Sequence, residues 1–164
     1  CDLPRQSGQG SRGKVSDPAD IRGWQRLSDR VTTSGKLDPA DPARLAGIGV
    51  RHVVNLALAD HPEALPDEAE AMAAAGIAYT HIPVPFDAPD EDHYAAFRGA
   101  LAGDEPVHVH CIMNWRVSAF FYLLHREQGM AEAEARALMA QQWDPLSADD
   151  PRTAPWRALL ERLV

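Results

Sequence analysis

Apolar residues follow two rhythms along this chain: compact β-branched runs, and longer stretches in which they return every three or four positions among Ala, Glu and Arg. Ile21, Trp24 and Leu27 recur at helical spacing after Asp17-Pro18, which predicts a short capped helix. Residues 30–33 read as a strand that Ser34-Gly35 breaks. Asp38-Pro39 and Asp41-Pro42 open a helix through Ala46, ended by Gly47 and Gly49. Residues 50–58 have the composition of a buried strand, residues 65–75 that of a helix closed by Gly76, and residues 77–84 are strand-like until Pro83 and Pro85. A helix over 90–102 follows, then a strand over 107–111, a helix over 116–128 closed by Gly129, and helices over 131–143 and 154–163.

Strand and helix thus alternate four times with short connections. That pattern predicts an α/β fold, with a central, mostly parallel sheet of four to five strands flanked by helices. Ligands of such sheets bind beyond the carboxyl ends of the strands. Cys111 stands at that end of the last strand, directly before a helix.

Composition narrows the picture. Of 164 residues, 45% are hydrophobic and 24% charged, as expected of one globular domain over residues 17–164. The net charge of −8 excludes a broad basic surface for nucleic acid or anionic lipid, so any anion site is a local positive spot on a negative surface. No apolar run approaches the roughly 20 residues of a membrane span; the longest, residues 117–124, fits a core helix. Residues 1–16, rich in Gly, Ser and charge, read as a flexible N-terminal arm. Two cysteines so far apart, Cys1 and Cys111, are not expected to form a disulfide scaffold, and Cys111 is read as a free thiol. The expected location is cytoplasmic. The alternative is an exported protein lipid-anchored through Cys1, with residues 2–16 as tether.

Cys111, Ile112, Met113, Asn114, Trp115 and Arg116 form the segment in which chemistry concentrates. A cysteine facing a helix N-terminus meets unsatisfied N–H groups and the positive end of the helix dipole, which favour its thiolate. The same N–H groups can cradle an oxyanion, and Arg116 can present a planar fork to two of its oxygens. A plainer reading makes Val107, Val109 and Cys111 core residues and Arg116 a surface cap. A metal site of His108, His110 and Cys111 is disfavoured, because adjacent strand residues point to opposite faces.

The surroundings carry a resemblance. His110-Cys111 opening a loop closed by Arg116 resembles the signature of the cysteine-dependent protein tyrosine and dual-specificity phosphatases. Residues 49–56, 76–84 and 106–111 are similar to three of that superfamily's strands. Ser34-Gly35, Trp143-Asp144-Pro145 and Trp156 resemble a bacterial tyrosine-phosphatase-like subfamily. The resemblance spans about residues 20–163. It implies phosphate monoester hydrolysis through a phosphocysteine on Cys111, with residues 112–116 binding phosphate, His110 and Ser118 supporting the loop, and no metal or organic cofactor. The substrate would be a phosphorylated protein or small molecule, and the oligomeric state is open. The resemblance also implies an acid after residues 82–84. Asp87 is nearest to the expected spacing; Asp90 doubles as a helix N-cap followed by His93, and Asp92 as a first-turn charge.

Three departures qualify the match. Four residues separate Cys111 from Arg116 where the phosphatase signature has five; rhodanese-type sulfurtransferases have the shorter loop, and so do some bacterial phosphatase-like proteins. The loop contains no Gly, and Asn114 is the residue best suited to a left-handed position. Val117 replaces the usual Ser or Thr after Arg, with Ser118 one place further on. Sulfur transfer through a Cys111 persulfide and a catalytically weak phosphate- or sulfate-binding module are therefore the alternative functions.

Overall fold

The computed structural model describes residues 16–164. Cys1 and the expected arm, apart from Ser16, lie outside the described residues. Five strands form one sheet: β1 (Gln25–Arg26), β2 (Val31–Ser34), β3 (His52–Asn55), β4 (Ala78–His81) and β5 (Val107–His110). Their order is β1-β2-β5-β3-β4; only β1 runs antiparallel to its neighbour. The helices are α1 (Asp41–Gly47), α2 (Glu68–Ala74), α3 (Glu91–Ala100), α4 (Trp115–Glu127), α5 (Glu132–Ala140) and α6 (Ala154–Leu163), the last preceded by a 3-10 turn at Pro151–Thr153.

The central position of β5 explains its composition. Buried on both faces, it sorts its side chains by alternation. Val107, Val109 and Cys111 join the larger apolar cluster with Phe97, Phe120, Trp156 and Leu159 of α3, α4 and α6. His108 and His110 face the other side, where α1 and α2 cover a smaller cluster of Leu45, Val53, Leu65 and Met72. Register brings the strand ends level: Ser34 and Asn55 both pair with His110, and Asn55 pairs with His81. Four parallel strands therefore deliver their following loops to one edge.

One expected element is absent. Residues 21–27 do not form a helix: Gly23 adopts φ +64°, and Gln25–Arg26 continues as an edge strand on Thr32 and Thr33. Arg26 is clamped to Asp17 by two hydrogen bonds of 2.7 Å each, while Trp24 stacks on His108 at 5.2 Å. Three apolar residues at helical spacing were too short a signal to outweigh sheet pairing and burial of Ile21 and Trp24. The last expected helices hold, although α5 stops at Ala140, short of Trp143.

Candidate active site

Cys111 lies at the base of a cavity of about 500 Å³, whose lining includes Leu58, His61, Phe86, Ile112, Met113, Trp115, Arg116, Trp143 and Arg152. The loop beneath it is pinned by its carbonyls. The Cys111 carbonyl accepts from His110 Nδ1 at 3.1 Å, that of Ile112 from the Lys36 N–H at 2.9 Å, that of Asn114 from the Ser118 N–H at 3.1 Å, and that of Trp115 from Trp143 Nε1 at 2.7 Å. In a trans peptide the C=O and the following N–H point in opposite directions, and the chain has no cis bond among its described residues. Four N–H groups, those of Ile112, Met113, Trp115 and Arg116, are thereby turned away from these partners. None of the N–H groups of residues 112–117 donates to a protein acceptor among the described residues. They form a cluster of free donors at the N-terminus of α4, the arrangement that binds oxyanions.

Asn114 makes the short loop possible. It adopts φ +66°, the left-handed conformation expected of it in place of Gly, at a cost of about 1–2 kcal/mol. Its fully buried amide offsets that cost by donating to the Gly23 carbonyl at 2.7 Å and Thr33 Oγ1 at 3.0 Å, and accepting from Ser118 Oγ at 3.1 Å. Ser118 therefore supports the loop through Asn114. Gly35 makes room from below: a Cβ there would lie 2.3 Å from the Ile112 carbonyl oxygen. Its strand neighbour Ser34 donates to the Gly35 carbonyl at 2.9 Å, so toward His108 Nε2, 2.8 Å away, the hydroxyl must accept. His108 is consequently the neutral Nε2–H tautomer, its Nδ1 accepting from Thr32 Oγ1 at 2.8 Å. Burial, then the neighbouring His110 and Arg26, push its pKa well below the usual 6.5.

Arg116, in the first turn of α4, is 7% exposed and donates through Nη1 to the Val84 carbonyl at 2.9 Å. It pairs with no carboxylate among the described residues, whereas the other cations at the rim are paired: Arg22 with Glu63 at 3.0 Å and Arg152 with Asp150 at 2.6 Å. A buried guanidinium lining the cavity with no carboxylate partner of its own is poised for an anionic ligand, while the two aspartates of the lining, Asp144 and Asp150, are held by Arg136 and Arg152. The apolar wall is aromatic. Trp115 and Trp143 stack at 5.1 Å and 6°, and Phe86 lies 6.1 Å from Trp115 and 5.6 Å from Trp143.

The acid candidates separate clearly. Asp90 caps α3, accepting from the His93 N–H at 3.0 Å while His93 Nδ1 accepts from the Asp90 N–H at 3.1 Å. Asp92 is a first-turn charge of the same helix. Asp87 is exposed in the turn just after Phe86; it does not line the cavity, and its carboxylate has no hydrogen-bond partner among the described residues. His108, His110 and Cys111 form no metal cluster: both rings are on the face opposite Cys111, and no group of three metal-binding side chains gathers among the described residues. No helix among them is long and apolar enough to cross a membrane.

Several contributors escaped the sequence reading: Arg22 and Gly23, the structural part of Gly35, Phe86, and Glu68, whose Oε2 lies 2.5 Å from His110 Nε2. Glu68 carried a legible signal. It interrupts the helical stripe of Leu65, Met72 and Ala75 with a carboxylate on the core face.

A family profile for the phosphatase-like domain of beta-lactamase hydrolase-like proteins matches residues 23–126. Among solved structures, a candidate phosphatase of Shewanella putrefaciens CN-32 is 31% identical, with a TM-score of 0.76 over 88% of this chain and 93% of that one. TpbA of P. aeruginosa, in complex with phosphotyrosine, is 20% identical with a TM-score of 0.66, covering 92% of this chain and 91% of that one. The core catalytic domain of the PP-IP phosphatase SIW14 of S. cerevisiae, in complex with citrate, is 11% identical with a TM-score of 0.69, covering 88% and 87%. The last two show a shared fold. No curated protein matches the chain.

Proposed function

The chain belongs to the family of phosphatase-like domains of beta-lactamase hydrolase-like proteins, and from that premise we propose that it hydrolyses phosphate monoesters through a phosphocysteine on Cys111. The observation that carries the reading is the cradle: free N–H groups over residues 112–117, beside a buried Arg116 with no carboxylate partner among the described residues. The Cys111 thiolate attacks phosphorus and the P–O ester bond breaks. Loop N–H groups and Arg116 hold the phosphoryl oxygens throughout. Asp87 gives its proton to the departing oxygen, then takes one from the water that attacks phosphorus, releasing phosphate and the thiolate. Asp87 is assigned this part because Asp90 is occupied as a helix cap, while the Asp87 carboxylate is free among the described residues and follows a cavity-lining Phe86.

The cavity favours a particular leaving group. Its aromatic wall fits an apolar or aromatic ester, as in the phosphotyrosine bound by TpbA. Its rim cations are already paired, which disfavours substrates carrying many phosphates.

A second reading has its own observation. The loop has four residues between Cys111 and Arg116, and the Ser118 hydroxyl is bonded to Asn114, where in the resembling phosphatases a hydroxyl helps expel the cysteine. Both features suit sulfur transfer through a Cys111 persulfide, or a binding module with weak turnover. The deciding experiment assays purified protein on an activated aryl phosphate and on thiosulfate with cyanide. We expect slow aryl phosphate hydrolysis, lost in Cys111→Ser, and little thiocyanate. Efficient thiocyanate formation with intact aryl phosphate would overturn the proposal in favour of sulfur transfer. Anion binding with neither reaction would overturn it in favour of the module.

A further inference from the structure

Behind the cysteine loop, on the face opposite the cavity, a carboxylate is buried where an apolar residue would continue the helix stripe. Glu68 is 6% exposed, and among the described residues no Lys or Arg pairs with it. A carboxylate in such a place is costly unless its oxygens are satisfied. One oxygen meets His110 Nε2 at 2.5 Å; the other accepts from Asn55 Nδ2 at 3.4 Å, and the same amide reaches the Tyr79 hydroxyl at 3.1 Å. Burial pushes the Tyr79 pKa up to about 12, so its hydroxyl stays neutral.

We infer that Glu68 is a positioning residue for Cys111, acting through His110 on the first peptide of the loop. The Cys111 carbonyl can only accept, so the His110 Nδ1 that faces it at 3.1 Å carries a hydrogen. A hydrogen must also lie between Nε2 and Glu68 Oε2, because two lone pairs do not approach to 2.5 Å. Whichever of those atoms holds it, Glu68 and His110 together bind two hydrogens and carry no net charge. His108, on the same strand face and 6.3 Å away ring to ring, is held by two hydroxyls and carries one. Glu68 therefore keeps the His110 ring in the orientation, and with the hydrogen count, that leaves Nδ1–H committed to the Cys111 carbonyl. That bond in turn aims the Ile112 N–H away from the core and toward the site. The titratable groups around His110 are Glu68 of α2, Tyr79 and the His81 stacked on it from β4, His108 of β5, and Cys111 itself.

The inference rests on Cys111 being the nucleophile of the proposed function. Its test therefore reads the thiol and the cradle rather than turnover. Iodoacetamide alkylation of Cys111 is followed at about pH 6 and about pH 9, with and without tungstate, in the full-length wild type, Glu68→Gln and Glu68→Leu. Glutamine can donate to His110 Nε2 and so still leaves the hydrogen on Nδ1; leucine continues the apolar stripe but leaves Nε2 without a partner. Glu68→Leu is expected to lower the ratio of the two rates by about tenfold and to weaken tungstate protection, whereas Glu68→Gln is expected to stay close to wild type in both. Glu68→Met, unbranched and also without a partner for Nε2, decides the matter where Leu does not fold. If wild type is protected by tungstate and the folded apolar variant matches it in rate ratio and protection, Glu68 is merely structural and the inference fails alone. If wild-type Cys111 is not protected at all, the proposed function fails, and this inference with it.

Discussion

In the cysteine loop, residues 111–116, four carbonyls are each tied to a donor in a different part of the fold: a histidine ring, the backbone after β2, the first turn of α4 and the Trp143 indole. In the loop after β4, residues 82–90, two carbonyls are tied to distant parts of the fold, Val84 to Arg116 and Phe86 to Trp156 Nε1; those of Pro85 and Asp90 accept only from the nearby Ala88 and Tyr94 N–H groups, and the residue after Phe86 is the exposed Asp87. The two loops meet at Arg116. One is over-determined, so its N–H groups keep a fixed direction whether or not an anion is present. The other is tied to distant elements only as far as Phe86, and the Asp87 carboxylate beyond that point is exposed. The difference matches the parts assigned to them. An oxyanion cradle gains most from donors fixed in advance, whereas an acid is needed only when a leaving group must be protonated.

The largest effect should come from the residue the two loops share. Arg116→Lys keeps the charge but loses the planar fork and its bond to Val84, which frees one loop from the other. We expect a fall in kcat on an activated aryl phosphate of about 10²–10³-fold, the usual effect of removing one oxyanion donor. Retention of most activity in steady-state kinetics would mean that the cradle stands without the guanidinium.

A smaller effect should follow from breaking the cysteine loop alone. In Gly35→Ala the new methyl group meets the Ile112 carbonyl oxygen at 2.3 Å, and both sides of that contact are backbone. The expected loss of stability is about 1–3 kcal/mol, with weaker phosphate binding by calorimetry. Unchanged anion affinity in a destabilised protein would show that the loop is less determined than its hydrogen bonds indicate.

The smallest effect, on an activated substrate, should come from the exposed loop. Asp87→Asn is expected to change hydrolysis of a nitrophenyl ester by about twofold at most, but to slow phenyl phosphate by about 10² or more, since only the poorer leaving group needs a proton. Equal slowing of both esters, or of neither, would remove Asp87 from the mechanism.

The same contrast explains what was legible in the sequence. The alternation that builds the sheet, the strand-to-helix position of Cys111 and the αL conformation of Asn114 follow from local rules, and all three are present in the fold. So is the N-cap at Asp90. The ties that hold the loop were not legible, because they join distant positions: Trp143 to Trp115, Asn114 to Gly23, Glu68 to His110. No periodicity encodes a side chain bonding a carbonyl dozens of residues away. The misread helix over residues 21–27 is the same failure, since Gly23 turns there to offer its carbonyl to Asn114. Glu68 alone announced itself, as a charge on an apolar stripe.

The measurement that bears most directly on the account is a rapid acid quench of wild-type protein during turnover of an aryl phosphate, followed by mass mapping of the peptide that carries Cys111. The account predicts a phosphoryl group on Cys111 that is absent from Cys111→Ser. A Cys111 peptide that never gains phosphoryl while substrate is consumed, or that gains only a sulfur atom from thiosulfate, would contradict it.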